Sequence, residues 1–226
     1  VLCRNRPDVP YDRVSINIGS APQTGLVTGA SEHAVPVKPI HQFNDRWMAL
    51  LDRVRQHPGK TRIAVVGGGA GGVELVLAMQ YRLRHELKAL GRDPDELEFH
   101  LFNRGESLLA THSPKVRGIF ERTLANRGVA VHKGVAVNEV EAGVVATSDG
   151  QRLDVHELVW VTNAGGPEWL RDTGLDLDEG GFIQVRPTLQ TVTDDAVFAA
   201  GDIASMVDYP REKAGVFAVR MGPPLA

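Results

Sequence analysis

Cysteine is nearly absent from this sequence of 226 residues, which contains only Cys3. A single cysteine excludes an internal disulfide framework, a multi-cysteine zinc site and a CxxC redox pair within these residues. Lys+Arg of 25 against Asp+Glu of 28 gives a net charge of −3, so no basic surface for nucleic acid is indicated. No stretch reaches the roughly 18 consecutive apolar residues that a membrane-spanning helix needs.

Several catalytic and metal-binding patterns are also missing. The eight histidines show no HExxH or HxxxH spacing, which argues against a resident metal. No GxSxG turn is present to carry a nucleophilic serine. With 42% hydrophobic and 23% charged residues, the composition is that of an ordinary soluble globular protein.

Strands and helices alternate over the first two thirds of the chain, which predicts a parallel sheet with crossover helices. Residues 20–39 lack any periodicity and are interpreted as a loop. After Gly128 the pattern changes to short strands joined by Asp-Gly and Gly-Gly turns. The predicted elements of the first part are a helix over 43–54, a strand over 62–67, a helix from about Val73 to Leu90, a strand over 98–104 and a helix from Ser113-Pro114 to Gly128.

The segment VVGGGAGGVE contains a GxGxxG motif formed by Gly67, Gly69 and Gly72. In such a motif the first glycine permits a tight turn, the second lets a pyrophosphate approach the backbone, and the third lets the helix pack on the strand. The helix N-terminus then favours the negative charge of the phosphate. The strand before it and the amphipathic helix after it favour nucleotide binding over a glycine-rich turn without a ligand.

A second glycine motif, VFAAGD, places Gly201 and Asp202 at the end of a buried strand. Ligands bind at this end of open parallel sheets, where an aspartate can accept hydrogen bonds from sugar or polyol hydroxyls. Taken alone, Gly-Asp after a strand is equally consistent with an ordinary turn.

The order of YDRVSINIGSAP, GGGAGGVE, VFAAGD and KAGVFAVRMGPPLA resembles the pyridine nucleotide-disulfide oxidoreductase family, including type II NADH dehydrogenases. INIGS, AVPVKPI and PKVRGIFERTL resemble, within that family, the flavoprotein fused to or encoded beside selenide, water dikinase. The resemblance implies a Rossmann-like three-layer NAD(P)H-binding domain, with a parallel sheet, crossover helices and a small antiparallel meander, inserted in a partial FAD-binding domain.

The domain boundaries that the resemblance implies divide the chain into three segments. They are 1–34 as the end of the first FAD segment, 35–165 as the NAD(P)H domain, and 166–226 as the returning FAD segment. The family's FAD phosphate loop should precede Val1, and an interface or membrane-associating domain should follow Ala226. We therefore expect this chain, taken alone, to hold no tightly bound FAD and to transfer no hydride.

The resemblance also implies roles for single residues. The three glycines would hold the pyrophosphate of NADH or NADPH, and Glu74 would be the catalytic residue facing nicotinamide and flavin. For Glu74 the alternative is a general preference for acids near a helix N-terminus. Gly201 and Asp202 would bind the FAD ribityl chain, and the segment Lys213, Ala214 and Gly215 would open a helix directed at the flavin.

Three departures from the family pattern modify these expectations. Asn17-Ile18-Gly19 and Thr162-Asn163-Ala164 replace the Ala-Thr-Gly turns at the two crossovers between domains. Asn103, followed by Arg104, replaces the acid that binds the ribose of NAD, so NADPH is expected to be used at least as well as NADH. The alternative is that Arg104 points to solvent. The cysteines of the sulfide:quinone and thioredoxin reductase branches are absent.

The function expected from this resemblance is FAD-dependent oxidation of NADH or NADPH, with electrons passed to a quinone or to a selenium- or sulfur-linked acceptor. The alternatives are a nucleotide-binding module, an NAD(P)H redox sensor without turnover, and an S-adenosylmethionine-dependent methyltransferase. No nucleic-acid partner is expected. Formation of a homodimer is left undecided by the sequence. The expected location is cytoplasmic, with peripheral membrane contact only through a C-terminal region.

Overall fold

The structure is a computed structural model that describes the whole chain except residues 4, 39, 58, 163, 212, 214 and 226 and the side chain of residue 41. The strands are β1 Val14–Ile16, β2 Ala21–Pro22, β3 Val35–Pro36, β4 Thr61–Val66, β5 Leu97–Asn103, β6 Val129–Lys133, β7 Val137–Glu141, β8 Val144–Thr147, β9 Arg152–Asp154, β10 Glu157–Trp160, β11 Ala164–Gly165, β12 Ile183–Val185, β13 Val197–Ala199 and β14 Ala204–Met206. The helices are α1 Ala30–His33, α2 Ile40–Gln56, α3 Ala70–Ala89, α4 Pro114–Asn126, α5 Gly215–Arg220 and α6 Gly222–Leu225, with 3-10 turns at Pro94–Glu96, Glu168–Asp172 and Gly201–Ile203.

The chain forms two compact units. The continuous unit is Pro22–Asn163, and the discontinuous unit combines Val1–Ala21 with Ala164–Ala226. Residues 22–34, which the resemblance assigns to the first FAD segment, pack with the continuous unit, and Ala30 and Ala34 are buried in its core. The identification of the units as NAD(P)H and FAD domains stays a prediction.

A five-stranded parallel sheet in the order β3-β10-β4-β5-β6 forms the centre of the continuous unit. Alternate residues of its strands face opposite sides. One face packs on the stripes of α2, α3 and α4, and the other packs beneath the antiparallel sheet β7-β8-β9. The three-layer, Rossmann-like α/β arrangement is therefore confirmed.

The helix boundaries follow the local chemistry of the sequence. Ser113 caps α4, because its side-chain oxygen accepts a hydrogen bond from the Val116 N–H, and Pro114 occupies the first turn. Gly128 follows the helix with a φ of 70°, the left-handed conformation in which glycine commonly ends helices. The second predicted helix begins earlier than expected, at Ala70 instead of about Val73.

The interpretation of residues 20–39 as a loop was wrong in part. This segment contains β2, the one-turn helix α1 and β3, which forms an edge of the parallel sheet. The Val140 N–H donates a hydrogen bond to the Thr28 carbonyl at 2.9 Å, joining the segment to β7. These elements are two to four residues long, which is too short for a hydrophobic period to appear in the sequence.

The discontinuous unit is built from short parallel ladders. β1 pairs with β13, and β12 pairs with β14. Its core contains buried aliphatic side chains, of which Leu170, Ile183, Val185 and Ile203 are fully buried. No helix within the described residues is long and apolar enough to cross a membrane.

Two half-buried histidines lie side by side on the sheet face beneath the meander. Nδ1 of His100 is 3.0 Å from Nε2 of His132, and the His132 ring stacks on Phe102 with centroids 4.3 Å apart. Burial, followed by the neighbouring His132 and Arg62, lowers the pKa of His100 to about 4, although Glu98 opposes this shift. Burial also lowers the pKa of His132, and Asp149 opposes it.

This histidine pair should make the protein less stable in mild acid. Between pH 6.5 and about 4 the unfolded chain binds more protons than the folded chain, so the free energy of unfolding falls as pH decreases. We expect a loss on the order of 1–2 kcal/mol at about pH 5 relative to about pH 7.5. Urea unfolding at the two pH values measures it. His100→Gln should reduce the pH dependence, the exposed-site control His112→Gln should not, and an unchanged dependence in His100→Gln would contradict the assignment.

Candidate functional site

A cavity of about 440 Å³ opens in the continuous unit beyond the carboxyl ends of β4, β5 and β10. This is the edge at which parallel α/β sheets bind their ligands. The described residues that line it are Gln23, Leu26, Val27, Val66, Gly67, Gly68, Gly69, Phe102, Asn103, Arg104, Gly105, Val135, Ala136, Val137, Trp160, Val161 and Thr162.

The three motif glycines have different structural requirements. Gly67 has a φ of 126°, which side chains rarely adopt, and a β-carbon there would lie 3.0 Å from the Val161 carbonyl carbon. A β-carbon on Gly72 would lie 1.7 Å from the Gly67 carbonyl oxygen, so this glycine lets α3 pack on the turn. Gly69 is extended, with a φ of −75° and a ψ of −177°, and has no other group within 4 Å of its β-carbon position. Only at Gly69 does the missing side chain leave open space beside the turn.

Gly68, which the GxGxxG pattern leaves unspecified, is a further constrained position. A β-carbon there would lie 2.5 Å from both Oδ1 of Asn103 and Cδ2 of Leu108. The Gly68 carbonyl also accepts a hydrogen bond from the Leu109 N–H at 2.9 Å. The run of three consecutive glycines in the sequence was the signal that could have identified this position.

The structure brings Asn103 and Arg104 to the wall of the same cavity as Gly67 and Gly69. Asn103 is half-buried and Arg104 is exposed. Glu74, the predicted catalytic residue, is an exposed residue of α3 and does not belong to the described lining of this cavity. Its catalytic role stays a prediction.

Trp160, at the end of β10, is a cavity residue that the sequence analysis did not select. It is only 2% exposed, and its indole N–H has no hydrogen-bond partner among the described residues. An unsatisfied buried donor costs about 1–3 kcal/mol. The strand sequence ELVW gave no indication of this feature, because the pattern of apolar residues identifies only the burial of the side chain.

A second cavity, of about 320 Å³, lies within the discontinuous unit. It brings together Gly201, Asp202 and Lys213 of the predicted FAD-binding residues. Gly201 has a φ of 73°, and a β-carbon there would lie 2.6 Å from Oδ1 of Asn17. The Ser20 hydroxyl donates a 3.5 Å hydrogen bond to Asp202. Ala214 is outside the described residues, and Gly215 is the exposed first residue of α5 and lies outside the described lining.

Lys213 gives this second cavity a positive wall. Its ammonium group donates a 2.6 Å hydrogen bond to the Ala204 carbonyl and lies 4.0 Å from the centre of the Phe182 ring. Burial lowers the pKa of Lys213, while Asp178 and Asp202 oppose that shift. A half-buried cation next to an aspartate suits a ligand that combines hydroxyl groups with a polar aromatic ring.

Within the part of the chain that the structure describes, no three histidine, cysteine, aspartate or glutamate side chains converge as metal ligands. The groups of the two cavities that can bind a ligand are the glycine backbone and the amide, carboxylate and cationic side chains.

The family model described as pyridine nucleotide-disulphide oxidoreductase matches residues 3–222. The chain belongs to this family. The match includes both cavities and both glycine motifs. The prediction of this family from the order of the sequence motifs is therefore confirmed.

Curated relatives of this family member include NADH dehydrogenases. The NADH dehydrogenase-like protein YutJ of Bacillus subtilis is 25% identical over 210 residues, which cover 93% of this chain and 55% of the relative. The type II NADH:quinone oxidoreductase of Haemophilus influenzae is 26% identical over 223 residues, covering 88% of this chain and 50% of the relative. The chain spans about half the length of these curated relatives.

Solved structures share the fold. NDH2 from Plasmodium falciparum, in complex with NADH, has a TM-score of 0.71 at 16% identity and covers 88% of this chain and 45% of its own. The engineered water-forming NADPH oxidase TPNOX, bound to NADPH, has a TM-score of 0.72 at 18% identity, covering 95% and 45%. At these identities the likeness establishes the α/β fold alone.

Proposed function

We propose that the protein to which this chain belongs is an FAD-dependent NAD(P)H oxidoreductase. Hydride would pass from the nicotinamide to the flavin, and electrons would then pass to a quinone. The observation that carries this proposal is the open backbone at Gly69, in a cavity at the carboxyl ends of parallel strands. Family membership and the NADH dehydrogenases among the relatives support it.

The continuous unit would bind the nicotinamide nucleotide. Its cavity meets the requirement of a pyrophosphate for uncovered backbone, because the Gly69 position leaves space that a phosphate can occupy. The α3 helix begins at Ala70, directly after this glycine, and directs its N-terminal dipole to the same place. Gly67 and Gly72 would set the geometry of the turn.

The discontinuous unit would contribute to FAD binding. Asp202 would accept hydrogen bonds from ribityl hydroxyls, and Lys213 would place positive charge near the flavin. The cofactor supplies the hydride-accepting chemistry when it is bound. The chain's own contribution would be position and electrostatics, to which Glu74 would add a carboxylate.

The finer assignments also belong to this proposal. INIGS, AVPVKPI and PKVRGIFERTL support a place beside the flavoprotein associated with selenide, water dikinase, for which the acceptor would be selenium- or sulfur-linked. A cytoplasmic location with peripheral membrane contact, and a homodimeric assembly, are further parts of this proposal.

Steady-state oxidation of NADH and NADPH by the complete flavin-loaded protein, with and without a soluble quinone, tests this function. We expect nucleotide oxidation that accelerates when quinone is added. Asp202→Ala should lower the amount of flavin that the protein binds. The control Asp208→Ala, at an exposed site, should leave that amount unchanged. Binding of nucleotide without any oxidation, whichever acceptor is supplied, would instead favour a redox sensor and overturn the enzyme proposal.

A further inference from the structure

The side chain of Asn103 is directed by its hydrogen bonds to its own turn. The carboxamide nitrogen donates to the carbonyls of Gly105 and Ser107, at 2.5 and 3.1 Å, and its oxygen lies over Gly68. The opposite orientation would place the carboxamide oxygen against two carbonyl oxygens. The two amide donors are thus engaged within the protein.

Further backbone hydrogen bonds hold the same turn, residues 103–109. The Gly134 N–H donates to the Gly105 carbonyl at 3.0 Å, and the Val135 N–H donates to the Asn103 carbonyl at 3.1 Å. The Leu109 N–H bonds to Gly68, which ties the far end of the turn to the glycine loop. The turn is therefore fixed at both ends, and Arg104 is carried on it.

Arg104 is the source of charge at this end of the cavity. It is exposed, and no ion pair or hydrogen bond of its guanidinium occurs among the described residues. Every other described lining residue is uncharged. No lining carboxylate is thus available to bind a ribose diol, and none would repel an additional phosphate.

We infer that this site prefers a dinucleotide that carries a 2′-phosphate, with Arg104 as the specificity-determining residue and Asn103 as a positioning residue for its turn. The inference rests on the proposed function and deepens it by naming the coenzyme class. A guanidinium matches a phosphate through charge-assisted hydrogen bonds, whereas a ribose diol is best recognised by a carboxylate. Asn103 was predicted to contact the cofactor, and its hydrogen bonds give it a supporting role instead.

Equilibrium titration of the chain with NADPH and NADH, and with the fragments 2′,5′-ADP and 5′-AMP, which differ only in the 2′-phosphate, tests the preference. We expect NADPH to bind about tenfold more tightly than NADH, and 2′,5′-ADP about tenfold more tightly than 5′-AMP. Both differences in affinity should decrease with added salt. Arg104→Gln should remove the difference between NADPH and NADH, because it should weaken the binding of NADPH and leave the binding of NADH unchanged. Lys115→Gln, an exposed cation on α4 outside the described cavity lining, is the matched control and should leave both affinities unchanged.

Asn103→Asp separates positioning from direct ribose binding. A carboxylate would face the Gly105 and Ser107 carbonyls without a donor, so the turn should loosen. We expect weaker binding of both nucleotides and a lower Tm. If Asn103 instead contacted the ribose, the new acid should strengthen NADH binding severalfold.

The outcomes distinguish the inference from the function beneath it. Equal affinities for NADH and NADPH, tighter NADH binding, or an unchanged ratio in Arg104→Gln would overturn the specificity assignment and leave the proposed function intact. Tighter NADH binding by Asn103→Asp would overturn the positioning role. Failure of the chain to bind either dinucleotide would contradict the nucleotide site itself.

Discussion

Replacing Gly69 with valine should weaken binding of NADH and NADPH by at least about 100-fold, or about 2.7 kcal/mol. The side chain would occupy the space beside the glycine turn that a pyrophosphate needs. Folding should change little, because the Gly69 backbone is extended and its β-carbon position meets no neighbour. Fluorescence titration measures affinity, and thermal unfolding measures the integrity of the fold.

Gly118→Val, in the middle of α4 and outside the described cavity lining, is the matched control for this experiment. Its affinity should equal that of the unaltered chain. Equal affinity in Gly69→Val would mean that the dinucleotide does not use this turn, and the site would have to be assigned elsewhere.

Replacing Gly72 with alanine should have the opposite signature, a large loss of stability. The new methyl group would lie 1.7 Å from the Gly67 carbonyl oxygen, so α3 must move away from the turn. Forcing apart a close-packed helix and strand costs on the order of 3 kcal/mol, which corresponds to a decrease in Tm of roughly 10 °C. Circular dichroism during heating measures this shift.

Gly71→Ala, one residue earlier on α3, provides the comparison. Its methyl group would lie 3.3 Å from a Val161 side-chain carbon, which can adjust. Helix propensity favours alanine over glycine, so the change in Tm should be small. If Gly72→Ala were as stable as Gly71→Ala, close helix packing would not be the reason for glycine at position 72.

Much of the continuous unit was predictable because its long elements have strong periodicity. The strand before Gly67, the stripe of α3 and the serine cap of α4 are each encoded by neighbouring residues. β3 was not predictable in this way, because its two residues become a strand only by pairing with β10. Tertiary pairing, not local preference, determines this edge of the sheet.

The same distinction applies to the candidate site. Motif spacing was sufficient to select the glycines, whereas the Asn103-Arg104 pair was selected through the resemblance to the family. Neither could indicate that the Asn103 side chain is bound to Gly105 and Ser107, since such bonds depend on the path of the turn. The sequence predicted the position of Asn103, and its hydrogen bonds are the basis of our inference that it supports the turn.

The division of the discontinuous unit between two distant segments has a consequence for its biogenesis. β1 pairs with β13, matching Val14 with Val197, so this ladder cannot form until both segments have left the ribosome. The continuous unit is complete in sequence before the second segment is synthesised, and domains generally fold as units in that order. We therefore expect the nascent continuous unit to become resistant to proteolysis before β1 pairs with β13. Ribosome-stalled chains long enough for residue 163 to have left the ribosome, but too short for β13 to have done so, would reveal this order of assembly.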